Sequence, residues 1–344
     1  ARRFDGVERY AELLPFPRET LVSTDEGTTP LVECPTLAEE LGVGQVFVKD
    51  EGRNPTGSVA DRGMAVAVSA ARAHGASDVA LATTGNAGQS AAAYAGRAGL
   101  ASHSFVPSRA TFGNKAMINV HGGDMSVVGG RYDDAADAFA DAMDEEDWHS
   151  VAAFDTPYRV EGQKTLAYEL AEQLDWEAPD AVVCPTGQGV GLVGLQRGAK
   201  ELADLGLIDD TPALYAAQAE GCAPIVEAVE ADREEHDAAE VPDTICGEIE
   251  IADPAGGSLV LDAIHESDGG AVATEDSDIL ESAVTVAQDE GIEMGPSSGA
   301  AASGAWALAD DGAFGSDDTV VLVNTAAADK EADVLRSHLM SKGI

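Results

Sequence analysis

Asn54-Pro55-Thr56-Gly57-Ser58-Val59-Ala60-Asp61-Arg62-Gly63 is the stretch on which the reading of this 344-residue chain turns. It lies between Val46-Phe47-Val48, a β-branched run that reads as a strand, and an alanine-rich helical pattern over residues 62–74. Outward from it the same alternation continues. Residues 79–82, 103–106 and 126–128 read as strands, with helices at 89–98, after Thr111 and after Asp133. The second half repeats the rhythm: helix at 160–174, strand at 181–184, helix at 192–205, strand at 214–218. Segments 279–290, 300–309, 319–323 and 330–340 complete it. Short β-rich runs between helices of about 10–15 residues predict an α/β chain of parallel-rich sheets flanked by helices. Ligands then belong at the carboxyl ends of the strands.

Asp and Glu number 62 against 20 Lys and Arg, a formal net charge of −42. That sign repels nucleic acid and anionic membrane surfaces, so neither is expected as a partner. The acids are spread through the chain, as in residues 141–147 and 232–237, with periodic segments between them, so an ordered acidic surface is expected rather than a disordered tail. Lysine is scarce: Lys49, Lys115, Lys164, Lys200, Lys330 and Lys342. Such a surface suits concentrated salt, where screening quenches self-repulsion, and a halophilic cytosol is the hypothesis it supports. No apolar run approaches the ~20 residues that span a bilayer and no charged-then-apolar leader is read, so a soluble cytoplasmic protein is expected.

Two glycine-bearing loops follow strands. Thr83-Thr84-Gly85-Asn86-Ala87-Gly88 precedes a helix whose free N–H groups suit an anion. Pro185-Thr186-Gly187-Gln188-Gly189-Val190-Gly191 also precedes a helix and can cradle a phosphate in a backbone nest. Valine between those glycines predicts a narrower or reshaped loop, because it resists positive φ. Arg159 and Lys164 are the candidate anion-binding cations. Cys34, Cys184, Cys222 and Cys246 are widely spaced and read as buried free thiols. The seven histidines show no metal-ligand spacing, and no metal is expected.

The residue 54–63 stretch resembles the Asn-Pro-Thr-Gly-Ser-Phe-Lys-Asp-Arg-Gly segment of threonine synthases, pyridoxal-phosphate (PLP) enzymes of the tryptophan-synthase-β type. Tyr10-Ala11-Glu12-Leu13-Leu14-Pro15, the Asp25–Val32 region with its Gly27-Thr28-Thr29-Pro30 core, Pro157-Tyr158-Arg159 and Gln218-Ala219-Glu220-Gly221 extend the likeness over nearly the whole chain. The resemblance implies a two-domain PLP fold of type II, with 1–55 and 154–344 as the large PLP-binding domain and 56–153 as a smaller inserted α/β domain. It also implies a homodimer. By the same likeness Thr83, Thr84, Gly85, Ala87 and Arg159 would bind a small anionic amino-acid-like substrate. Asn86, Gly187, Gln188, Gly189, Val190, Gly191 and Thr325 would hold PLP, with the Thr325 hydroxyl at the pyridine nitrogen.

The departures are as informative. Ala60 stands where the family lysine holds the cofactor as a Schiff base and moves protons at the substrate Cα; a methyl group does neither. No catalytic residue is therefore assigned, and PLP, if bound, is expected to be non-covalent. Ala326 and Ala328 replace glycines, Gly295-Pro296-Ser297-Ser298-Gly299 lacks a family glutamate, and Ala153-Phe154 replaces a polar pair. Three readings stay open: a natural non-catalytic relative, a threonine synthase inactivated by a lysine-to-alanine change, and an enzyme with a redirected activity. Replacement of the missing amine by Lys49 or Lys115 is not expected.

Overall fold

The computed structural model describes residues 5–342. Two sheets organise them. The four-stranded sheet runs in the order β5-β4-β3-β6 and is parallel throughout, built from β3 (Asp78–Ala82), β4 (Ala101–Pro107), β5 (Asp124–Val128) and β6 (His149–Ser150). Its crossovers are α3 (Asn86–Ala98), α4 (Phe112–Val120) and α5 (Tyr132–Glu145), preceded by α2 (Ala60–Ala73).

The six-stranded sheet draws on both ends of the chain, in the order β1-β2-β10-β7-β8-β9. Its strands are β1 (Leu31–Glu33), β2 (Gln45–Asp50), β7 (Ala181–Pro185), β8 (Ala213–Ala219), β9 (Gly270–Thr274) and β10 (Thr319–Asn324). Only β1 is antiparallel to its neighbour. Its helices are α1 (Pro35–Leu41), α6 (Tyr158–Gln163), α7 (Thr165–Gln173), α8 (Val190–Asp204), α9 (Pro224–Glu230), α10 (Gly257–Glu266), α11 (Asp276–Asp289), α12 (Pro296–Asp310) and α13 (Ala332–Ser341). All of β7 is buried, as a central parallel strand covered on both faces must be, and its Ala-Val-Val-Cys run supplies the apolar side chains.

Among the described residues no helix is long and apolar enough to cross a membrane. The four cysteines are free and buried, as their spacing predicts. The helix read over 160–174 is two helices, α6 and α7, parted at Lys164. There the Thr165 hydroxyl donates to the Gly162 carbonyl at 2.7 Å, offering that carbonyl a side-chain partner at the break.

The 54–63 stretch is fixed from three sides. α2 is buried on nearly every face, so its alanines and Gly63 are what allow neighbours to come close. A Cβ on Gly63 would sit 3.0 Å from the Arg159 carbonyl, and one on Gly162 would sit 2.1 Å from the Arg62 carbonyl. These two glycines let α2 and α6 touch backbone to backbone. Beneath them Arg62, fully buried, bonds Glu51 at 2.7 and 2.8 Å and Glu169 at 2.8 and 3.0 Å, and Lys49 joins Glu169 at 2.8 Å. Burial would raise the Glu169 carboxyl, but Arg62 and Lys49 outweigh it and hold it well below the usual range. Finally, Val59 N–H donates to the Thr325 carbonyl at 2.8 Å and Ala327 N–H to the Gly57 carbonyl at 3.0 Å. The stretch is thereby pinned to the chain leaving β10.

Candidate functional site

Three strands end at one cavity. Beyond the carboxyl end of β3 come Thr83, Thr84, Asn86 and Ala87; beyond β7 come Gly187, Gln188, Gly189, Val190 and Gly191; beyond β10 comes Thr325. Ala60 and Arg159 line the same space. Of the residues singled out in the sequence, Gly85 and Lys164 are outside this lining. Lys164, expected as an anion binder beside Arg159, is instead buried against Glu161 at 2.8 Å and Glu201 at 2.9 Å. Helical geometry accounts for this: Arg159 lies on the side of α6 that meets the cavity, while Lys164 follows the helix end and turns toward α8.

The glycine loop before α8 differs from the expectation for valine. Gly189 carries the left-handed turn, at φ +91°, and Val190 simply opens the helix. A Cβ on Gly189 would lie 2.2 Å from Val260 Cγ2, so both conformation and space require glycine there. The first N–H groups of α8 have no acceptor within the helix, and Val190 and Gly191, which carry two of them, line the cavity. The Thr325 hydroxyl is 3.0 Å from Ser298 Oγ.

Residues lining this cavity carry polar atoms left without partners. Ser58 Oγ, Asn86 Oδ1 and Arg159 Nε are buried with no hydrogen-bond partner among the described residues. Burial lowers the Arg159 guanidinium to about 10, with Tyr132 opposing the shift. Burial also pushes the Tyr132 phenol up to about 12. A buried guanidinium among orphaned polar groups suits an anionic, hydrogen-bonding guest at that end of the cavity. Those atoms, with the glycine nest, fit the phosphate and ring substituents of the cofactor that the sequence implies. A covalent anchor does not fit, for only the Ala60 methyl stands at its place.

No lysine is among the residues lining the cavity. Lys49 is locked in the buried cluster described above, and Lys115 donates to the Ser108 carbonyl at an exposed position. Lys330 donates to Gln89 Oε1 at 2.7 Å and approaches Asn114 Oδ1 at 3.5 Å. Among the described residues, no group of three or more His, Cys, Asp or Glu side chains is placed to hold a metal ion.

The loop after β3 is organised differently from a simple open turn. The Thr83 hydroxyl is spent within it, accepting the N–H groups of Gly85 at 3.0 Å and Gly88 at 3.1 Å. Thr84 Oγ1 donates to Glu248 Oε2 at 2.9 Å. Glu248, with Ile249 and Ile251, lines the cavity and was not singled out in the sequence. The alternation Glu248-Ile249-Glu250-Ile251 signals an extended segment with one apolar face, but nothing local shows that its acids turn inward.

The sequence profile of the pyridoxal-phosphate dependent enzyme family matches residues 22–326. The chain is similar to the threonine synthase of Methanosarcina acetivorans, 38% identical over 93% of this chain and 79% of that one. It is 37% identical to the threonine synthase of Methanocaldococcus jannaschii, over 96% and 82%. Among solved structures, a fungal L-serine ammonia-lyase from Rhizomucor miehei matches with a TM-score of 0.78 at 24% identity, covering 91% of this chain and 98% of that one.

Proposed function

Because the chain belongs to the threonine-synthase family of pyridoxal-phosphate-dependent enzymes, we propose that it holds pyridoxal phosphate without a covalent link and has no lysine-driven turnover. One observation carries the reading: Ala60 lines the cavity at the head of α2, and no lysine lines it with Ala60. The cofactor, when bound, supplies an electron sink beside an amine nitrogen. Gly187, Gln188, Gly189, Val190 and Gly191 would hold its phosphate on backbone N–H groups. Thr325 would face the ring nitrogen as a neutral hydroxyl, and Asn86 would meet a ring substituent. Arg159 offers a guanidinium to the anionic group of a small amino-acid-like ligand. The acidic composition belongs to the same proposal, as an adaptation to concentrated salt.

An absorbance titration with pyridoxal phosphate in molar KCl, followed by borohydride reduction and peptide mapping, tests this. Saturable binding with no trapped lysine is the expected outcome. A reduced adduct on any lysine would overturn it.

The assembled cavity also supports a second reading, a threonine synthase that converts O-phosphohomoserine to threonine and phosphate but carries an inactivating alanine. In Ala60→Lys that reading expects turnover of O-phosphohomoserine. Continued inactivity of a cofactor-loaded Ala60→Lys protein favours the non-catalytic or redirected protein.

A further inference from the structure

We propose that Glu248 is a built-in carboxylate that fills the anion-binding loop at the head of α3 and excludes ligands presenting a carboxylate there, so that the cavity selects a small amine whose anionic group lies at Arg159. The choice of ligand class rests on the cofactor reading above; the filling of the loop does not.

The geometry is that of an occupied anion site. Glu248 Oε2 accepts from Thr84 Oγ1 at 2.9 Å and lies 3.5 Å from the backbone nitrogen of Asn86, the first residue of α3. Glu248 Oε1 accepts from Asn114 Nδ2 at 2.5 Å. With the Thr83 hydroxyl used inside the loop, these donors are the ones a guest carboxylate would need. A second carboxylate would compete for them and would meet a like charge at contact distance.

Several features deliver Glu248 to this place. Gly85, at φ +147°, lets Asn114 cover the loop: a Cβ there would fall 2.6 Å from Asn114 Nδ2. Asn114 in turn is approached from its other side by Lys330 at 3.5 Å. The segment carrying Glu248 is strapped across the cleft, because Glu250 pairs with Arg131 and, at 3.4 Å, with Arg109, both from the four-stranded unit. Glu248 N–H donates to Ser297 Oγ at 3.2 Å, which fixes the strap to α12. Burial raises the Glu248 carboxyl, while Thr84, Lys330, Asn86 and Asn114 oppose the shift.

Two measurements test the proposal. Glu248→Ala leaves the loop donors empty, so acetate should raise its Tm by about 2 °C relative to chloride at equal ionic strength. Wild type and Glu248→Gln, whose loops stay filled, should show no such rise. If Glu248→Ala does not fold, Glu248→Ser provides the same vacancy. Absence of acetate stabilisation in the folded vacancy variant, or an equal rise in wild type, overturns the filled loop.

The second measurement compares O-phosphoethanolamine with O-phospho-L-serine, which differ by one carboxylate, using cofactor-loaded protein. Wild type should prefer O-phosphoethanolamine by about tenfold, the worth of one charge-assisted contact. Glu248→Ala should erase that preference. Equal affinities in wild type, or no binding of either amine, overturn the ligand class. Failure of pyridoxal phosphate to bind while acetate still stabilises Glu248→Ala would remove the cofactor reading and leave the filled loop standing.

Discussion

Glu26 is sealed from solvent, and one of its oxygens does all the bonding. Its Oε2 accepts from Thr24 N–H at 2.8 Å, Ser23 Oγ at 3.2 Å and Tyr94 Oη at 2.8 Å, whereas Oε1 has no partner. Burial raises this carboxyl from 4.5 to about 7. The folded state therefore holds the proton more tightly than the unfolded chain. The resulting stability is fully present below pH 4.5 and is lost as the pH rises through 7. Glu26→Gln cannot ionise, so it should exceed wild type at pH 8 by on the order of 3 kcal/mol, with the gap closing toward pH 4.5. Urea unfolding at the two pH values in molar KCl measures the gap; a constant difference would refute the assignment. Neither Glu26 nor Glu248 could be recognised from composition, because an acid among 62 looks the same whether it meets water or a hydroxyl from 164 positions away.

At the scale of elements, the α2–α6 contact carries the site. Gly162 permits the approach that sets Arg159 at the cavity, and its missing Cβ would otherwise strike the Arg62 carbonyl. Gly162→Ala is expected to lose at least about 1–3 kcal/mol of stability by overpacking. It should also weaken binding of an anionic ligand, since Arg159 moves with α6. A denaturation midpoint unchanged from wild type would show that the helices part without cost. Two strands of the six-stranded sheet were readable: Val46–Val48 and Ala181–Cys184 are short valine-bearing runs, buried except for the half-buried Phe47. Less readable were β9, an edge strand of small, half-buried residues, and α9 and α10, which flank a long acidic irregular segment. Small side chains carry little periodic signal, and their placement is decided by neighbours far along the chain.

For the whole molecule, a net charge of −42 on 344 residues repels itself strongly in dilute buffer. The unfolding midpoint should rise steadily as KCl increases from about 0.1 M, where the Debye length is ~10 Å, to 2 M, where it is below about 3 Å. A flat response would sink the salt-adaptation proposal. The site residues named from motifs lie far apart in sequence yet meet where the carboxyl edges of two parallel sheets face one cavity, β3 delivering its loop from the four-stranded sheet and β7 and β10 theirs from the six-stranded one. That rule made most of the lining legible, while the strap bearing Glu248 follows no such rule. The strand order has a further consequence for how the molecule is made. β10 sits between β2 and β7, and 274 positions separate Asp50 from its partner Asn324. A nascent chain leaving the ribosome can complete the four-stranded sheet early, but it must carry the facing edges of β2 and β7 unpaired until β10 has been translated. That interval is when the protein most needs a chaperone, and a translation arrest before β10 yields a product with one half folded and the other adhesive.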